Sequence, residues 1–351
     1  MKRVLALLLA VVMTLSLAAC NNNNGGGTAS GGESGSTGEK VKIGFSFPTK
    51  NNEFWNNALT FMKQAADQLG IDLQDVSCDN KQDQQVTDVN NLLAAGIKGL
   101  VLCPQDASIC AGIANSCKEK NIPLVICDRW PGDDLKIGED YLAFVGPNDE
   151  QMGEGVANAL IDAGAKKMVA IGGYDGTSVA EGRKAGLEKA IAAKNGEVEL
   201  LQYLAAGENY EDGDKAVRNL YQAHNDLDSV WCYNDSLSLA VVNFAKEKNI
   251  KILTGGIDLQ ADAVKEIEAG NMTYSIGGHY LQCSFALIMV YDKINGKDPT
   301  ENHVKLDCIG VDKSNYQTYK DKYLSGDNNI DFKNMSKVHN PEAKGYYEIT
   351  L

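Results

Sequence analysis

From Val41 onward the chain alternates short apolar runs with amphipathic segments, and nothing else in it restricts the fold so strongly. "VKIGFSF" (41–47) reads as a strand. A helix follows, with Trp55, Ala58, Leu59, Met62, Ala65, Ala66 and Leu69 at three- and four-residue steps and Gly70 closing it. "VTDVNNLLAAG" (86–96) is a helix that leads into the strand "GLVLC" (99–103). The next helix gathers Ile109, Cys110, Ile113, Ala114 and Cys117 on one side, before the strands "IPLVIC" and "YLAFVG". The pattern then restarts, with strands at about 167–172, 198–204, 228–233, 251–257 and 272–277. Helices at about 149–163, 178–193, 212–223, 237–248 and 260–269 alternate with them. Repeated βαβ units with apolar strands imply parallel sheets covered on both faces and joined by right-handed crossovers. Two series over about 310 residues exceed one ordinary core. The expected fold class is therefore α/β, with two doubly wound parallel-sheet lobes.

The N-terminus bears on compartment. Lys2 and Arg3 precede an unbroken apolar run from Val4 to Val12, and small residues follow. That run is too short to cross about 30 Å of hydrocarbon and reads as a secretory signal. Leu17-Ala18-Ala19-Cys20 resembles the lipobox of bacterial lipoproteins. The resemblance implies lipidation at Cys20 and anchoring to the outer face of the bacterial cytoplasmic membrane, or facing the periplasm. Residues 21–40, "NNNNGGGTASGGESGSTGEK", have no branched apolar residue and read as a flexible tether. Without Lys2 and Arg3, 31 basic residues face 47 acidic ones, a balance that repels nucleic-acid phosphates. The eight cysteines after Cys20 lie mostly in apolar runs without C-x-x-C, which favours small buried hydrophobes over a zinc site. No cofactor or metal is expected.

In open α/β sheets ligands sit beyond the carboxyl ends of the strands. Here those ends carry "PTKNNEFW", "CPQD", "CDRW", "IGGYDGTS", "CYND" and "GGID". Polar and aromatic groups thus collect at one kind of place in both series. A small polyol needs such a set: carboxylates to accept hydroxyl protons, Asn and Arg to donate, and aromatic faces for its C–H surface. Asp128, Asp235, Asp258, Arg129, Arg183, Asn52, Asn234, Phe54, Trp55 and Trp130 supply it.

These residues carry a resemblance. From about Val41 to Leu306 the chain looks like the ribose-binding protein branch of the type I periplasmic binding proteins. "NNEFW", "CDRW", "GTSVAEGRKAG", "YND" and "GID" stand in that family's order and spacing over some 250 residues. The resemblance implies that Asn52, Phe54, Trp55, Asp128, Arg129, Arg183, Asn234 and Asp258 contact a monosaccharide. It implies three hinge crossings, near Gly146, Gly277 and Cys308, between a lobe of 41–146 plus 278–308 and one of 147–277 plus 309–351. It also implies a monomer that hands sugar to an ABC transporter permease. Cys103 stands where the family often has a polar residue. "GGH" stands where a glutamine is typical, so that contact is missing or comes from His279. The tail from Val311 is longer than in the ribose-binding protein.

Plainer roles stand beside these. Asp235 is a candidate N-cap for a helix starting at Ser236. Trp130 suits either a sugar platform or a cover on the hinge, and Phe54 and Trp55 can divide cleft and core between them. Trp231 reads as core. "GGYDGTS" lacks a Walker lysine and reads as a turn capped by Thr177 or Ser178. A secreted glycosidase is the enzyme alternative, but Arg129 beside Asp128 is expected to hold that acid ionised. A sensor of a sugar or furanose-type autoinducer, signalling to a membrane partner, is the binding alternative. A DNA-binding regulator would need a helical headpiece where this chain has a signal and tether.

Overall fold

The computed structural model describes residues 40–324 and 330–351. The signal, Cys20 and nearly all of the tether lie outside the described residues.

The first series forms β1 (Val41–Phe47), α1 (Glu53–Leu69), β2 (Ile71–Ser77), α2 (Gln82–Ala94), β3 (Gly99–Leu102), α3 (Cys110–Glu119), β4 (Leu124–Cys127) and β5 (Ala143–Pro147). The second forms α4 (Asp149–Asp162), β6 (Lys167–Gly172), α5 (Ser178–Ala192), β7 (Glu199–Ala205), α6 (Tyr210–Ala223), β8 (Ser229–Cys232), α7 (Asp235–Lys248), β9 (Leu253–Asp258), α8 (Ala261–Ala269) and β10 (Tyr274–Gly277). Then come α9 (Gln282–Ile294), β11 (His303–Leu306) and β12 (Ile309–Val311).

Two six-stranded sheets result, ordered β11-β5-β4-β3-β1-β2 and β12-β10-β9-β8-β6-β7. Every pairing is parallel except the antiparallel β10–β12 pair. The same winding thus occurs twice, and in each lobe the order reverses beside the first strand, between β1 and β3 or between β6 and β8. That reversal parts successive crossover loops and opens a crevice at the strand tips. The chain passes between sheets three times: from β5 to β6, from β10 to β11, and from β11 directly to β12. Three short connections permit rotation of one lobe on the other.

The apolar positions decide the layers. Phe45, Val101 and Val125 pack with Trp55, Met62 and Leu69 of α1 and with Phe285 and Leu287 of α9. Leu100, Leu102 and Ile126 face Leu92 of α2 and Ile113 of α3. From Cys283 to Val290 every residue of α9 is buried, so "CSFALIMVY" is a helix enclosed by protein. Among the described residues no helix is long and apolar enough to cross a membrane. All eight described cysteines are free thiols, seven of them buried.

The tail lies against both lobes. Only Ile309–Val311 joins the second sheet. Tyr319, Tyr323, Phe332 and Ile349 join the apolar cluster of α1 and α9, and Ser336 caps its contact through Asp292 of α9. The tail also touches the second lobe, where the Tyr319 hydroxyl donates to the Leu259 carbonyl at 3.2 Å. Its aromatic residues follow no strong period, so only the surface waiting for them reveals their place.

Candidate functional site

The strand tips of both lobes line one cavity with about 30 Å³ of free space in this closed arrangement. That is room for about one water and well below the roughly 300–1,000 Å³ usual for small-molecule sites. All eight residues expected at a site line it, as does His279.

Asn52 ends the β1 loop and caps α1, its Oδ1 accepting from the Phe54 N–H at 2.8 Å. That cap aims the first turn of α1 at the cavity, so Phe54 and Trp55 both line it. Their rings meet edge to face at 4.9 Å, and His279 lies over Phe54 at 4.6 Å. The two aromatics do not divide cleft and core: both line the cavity and both join the apolar cluster beneath it.

Asp128 follows β4 with φ 70°, a left-handed conformation that Asp tolerates better than most residues. Its Oδ1 accepts from Gln282 Nε2 at 2.7 Å, and Cys103 Sγ lies 3.7 Å from Oδ2. Arg129 donates to the Gln105 carbonyl at 3.1 Å and stands 3.9 Å from Asp128. Burial raises the Asp128 pKa above the usual carboxylate range, although Arg129, Arg183 and Gln282 oppose the rise. The expectation that Arg129 holds this acid ionised meets an opposing effect, because desolvation outweighs the neighbouring cations and shifts the carboxyl upward.

Arg183 comes from the first turns of α5, which Thr177 caps through Ala180 N–H at 3.2 Å. Its Nε donates to Asp149 at 3.1 Å, its Nη1 donates to the Tyr233 carbonyl at 3.0 Å, and its plane covers the Tyr233 ring. Asp258, at φ 125°, ends β9. Its pKa is raised well above the carboxylate range by burial, while burial lowers that of His279 well below the imidazole range.

Three expectations need correction. The α7 helix starts at Asp235, and Asn234 is its cap, accepting from the Leu237 N–H at 3.0 Å. Asn234 also donates to the Glu208 carbonyl at 2.8 Å, so both ends of its amide serve the protein. Asp235 is fully buried outside the cavity, accepting from Gln260 N–H at 2.9 Å and from the Ser275 hydroxyl at 2.8 Å. Trp130 lies outside the cavity too, in a neighbouring cleft with Phe144, stacked on His303 at 5.3 Å. The indole N–H donates to Asp133 at 2.8 Å, which draws the ring to the hinge side.

Val179, Glu208 and Tyr233 also line the cavity. Tyr233 stands inside "CYND", and Glu208 follows β7 in "AAGENY", a strand end that alternates too weakly to draw notice. Glu208 accepts from the Tyr233 hydroxyl at 3.2 Å and faces Arg129 of the other lobe at 3.5 Å. Two further hydrogen bonds cross between the lobes, Trp130 N–H to Ser178 Oγ and Ala261 N–H to Glu53, both at 3.1 Å. The lobes are closed on one another.

Burial also makes stability depend on pH. It pushes Asp149 and Asp235 up to about 7, against the help of Arg183 for the first and the Gln260 N–H for the second. Each carboxyl binds its proton more tightly folded than unfolded, where the value is about 3.9. Their contribution is therefore full at the acid end and is lost as pH rises from about 4 to about 7. Thermal melts across that window should show a shallower fall for Asp235→Asn than for the parent; equal slopes would refute the assignment for Asp235.

A model of the family described as "Periplasmic binding protein domain" matches residues 43–298. The ribose import binding protein of Bacillus subtilis is 24% identical over 248 residues, 68% of this chain and 76% of that protein. The galactofuranose-binding protein of Escherichia coli is 26% identical, over 67% of this chain and 76% of its own. A solved Caulobacter myo-inositol binding protein, bound to myo-inositol, superposes with a TM-score of 0.73 at 21% identity. That match covers 80% of this chain and 96% of the other, and carries the fold.

Proposed function

This chain belongs to the periplasmic binding protein family, and from that premise we propose that it captures a monosaccharide between its two lobes and delivers it to an ABC transporter permease. Its family consists of solute-binding proteins. The observation that carries the reading is the single cavity where Asn52, Phe54, Trp55, Asp128 and Arg129 of one lobe meet Arg183, Asn234 and Asp258 of the other. Lipidation at Cys20 would hold the protein at the membrane that contains the permease.

Carboxylates and guanidiniums suit hydroxyls, and Phe54 and Trp55 suit the C–H face of a sugar ring. Hydrogen bonds to charged groups contribute roughly 1.5–3 kcal/mol each. Four or five of them, less the cost of ordering ligand and lobes, support micromolar affinity, about −8 kcal/mol. Because each lobe supplies part of the site, a bound sugar touches both only when they close. Its differential affinity then favours the closed state.

Thermal-shift and calorimetric titration against pentoses, hexoses and polyols tests the reading. A ligand present at a hundredfold its Kd stabilises by about 2.7 kcal/mol. That amounts to several degrees of melting temperature in a protein of this size. Silence across the panel would remove the proposal.

A further inference from the structure

Beyond the three connections of the hinge, the tail joins the lobes a fourth time. It leaves the second lobe, where β12 pairs with β10. Lys313 and Lys320 then both reach Glu268 of α8, the first at its carbonyl and the second at its carboxylate, 2.7 Å away. Residues 330–351 pack on the first lobe. The Ile330 carbonyl accepts from Gln68 of α1 at 2.9 Å, and the Lys337 N–H donates to Asp292 of α9 at 2.9 Å. The Tyr346 hydroxyl donates to Glu301 at 3.0 Å.

The two attachments meet at Tyr319. Its ring is fully buried, in one apolar cluster with Leu259, Val264 and Ile267 of the second lobe and Phe61, Tyr280 and Leu281 of the first. Its hydroxyl donates to the Leu259 carbonyl at 3.2 Å. With that proton spent, the 3.3 Å contact with the Tyr280 hydroxyl runs the other way, Tyr280 donating. Tyr280 is itself held to α1 by stacking on Phe61 at 5.3 Å. The relay from Tyr280 through Tyr319 to Leu259 thus crosses from lobe to lobe in apolar surroundings, where a broken link leaves a buried polar group unpaired. Both of its ends stand one residue from the cavity, since Tyr280 follows His279 and Leu259 follows Asp258.

We infer that the tail is a fourth tether that favours closure, with Tyr319 as its positioning residue. Rotating one lobe away from the other draws Leu259 away from Tyr280, and Tyr319 can then keep only one of them. Each contact made when closed and lost when open shifts the equilibrium towards the closed state by its own free energy. Resting on the sugar-capture reading, that shift tightens binding and slows release although the tail touches no ligand.

Amide hydrogen exchange of the whole protein, with no sugar added, tests this. The Ala261 N–H donates to Glu53 and the Trp130 N–H to Ser178, both across the cleft, so their exchange reports opening. Tyr319→Phe keeps the ring and removes the relay. Both reporters should then exchange roughly two- to tenfold faster, the equivalent of one neutral hydrogen bond. Tyr280→Phe, a milder break that leaves Tyr319 on Leu259, should quicken them in the same direction. Tyr346→Phe removes a tail contact made within the first lobe and should leave them unchanged. Reporters that keep the parental rate in both relay variants, or that quicken only in step with the β8 amides that report unfolding, would overturn the tether. Equal quickening by Tyr346→Phe would overturn the role of Tyr319. Because no sugar is involved, silence in the sugar panel would leave the tether standing, and loss of the tether would leave sugar capture standing.

Discussion

Asp128→Ala is expected to abolish binding of whichever sugar produces the largest shift in the panel. Asp128 is only 7% exposed and stands at the tip of β4, where its carboxylate can accept two ligand hydroxyls. Each such bond is worth roughly 1.5–3 kcal/mol. Losing both weakens binding by about two to four orders of magnitude at 1.4 kcal/mol per tenfold, below calorimetric detection for a micromolar ligand. The substitution also removes the acceptor for Gln282 Nε2, whose own Oε1 already lacks a partner. Asp128→Asn is the control. It keeps an oxygen for Gln282 and tolerates φ 70°, so the fold should persist while affinity falls by an intermediate factor. Alanine and asparagine proteins that both bind at parental affinity would remove Asp128 from the site.

Gly153→Ala is expected to lower the melting temperature by roughly 6–12 °C, the largest stability loss foreseen for a single methyl group. A Cβ at Gly153 would lie 1.9 Å from the Arg183 carbonyl oxygen and 2.7 Å from its carbon. Both are backbone atoms that cannot rotate aside. At Gly186 a Cβ would meet the Glu150 oxygen at 2.0 Å and the Glu154 nitrogen at 2.5 Å. These two glycines let α4 and α5 touch backbone to backbone. Overpacking costs typically about 1–3 kcal/mol, and a clash with backbone belongs at the upper end. At about 2–4 °C per kcal/mol for a large domain, the stated shift follows. The buried Trp231 indole, which donates to the Gly153 carbonyl at 3.1 Å, would be strained too. Because Arg183 stands at this contact, its guanidinium should move off Asp149 and sugar binding should weaken alongside stability. Gly155→Ala, where the nearest neighbour is the flexible Ile276 tip at 3.2 Å, should change little. Equal shifts for the two variants would refute the packing argument.

Much of the site was legible as strand ends, because parallel α/β order forces loops of one kind to one edge of each sheet. Asp128 and Asp258 stand at such strand ends and line the cavity, and Arg183 reaches it from the helix after β6. Glu208 was not legible in this way, since β7 is a partly buried edge strand with little alternation to mark where it stops. The exchange of roles between Asn234 and Asp235 was hidden by a single residue. Both types cap helices, and only the positions of the Gln260 N–H and Ser275 hydroxyl decide which side chain turns outward. Trp130 is held outside the cavity by Asp133, three residues on, and by stacking on His303, 173 positions away and beyond any local pattern.

The two doubly wound lobes and the edges at which polar groups collect are legible in the sequence, because apolar periodicity is local and right-handed crossovers bring successive loops to one edge. Which polar groups share the cavity, and which are spent holding one another, is set by the folded arrangement. Desolvation and pairing depend on distances between residues far apart along the chain, and folding alone sets them.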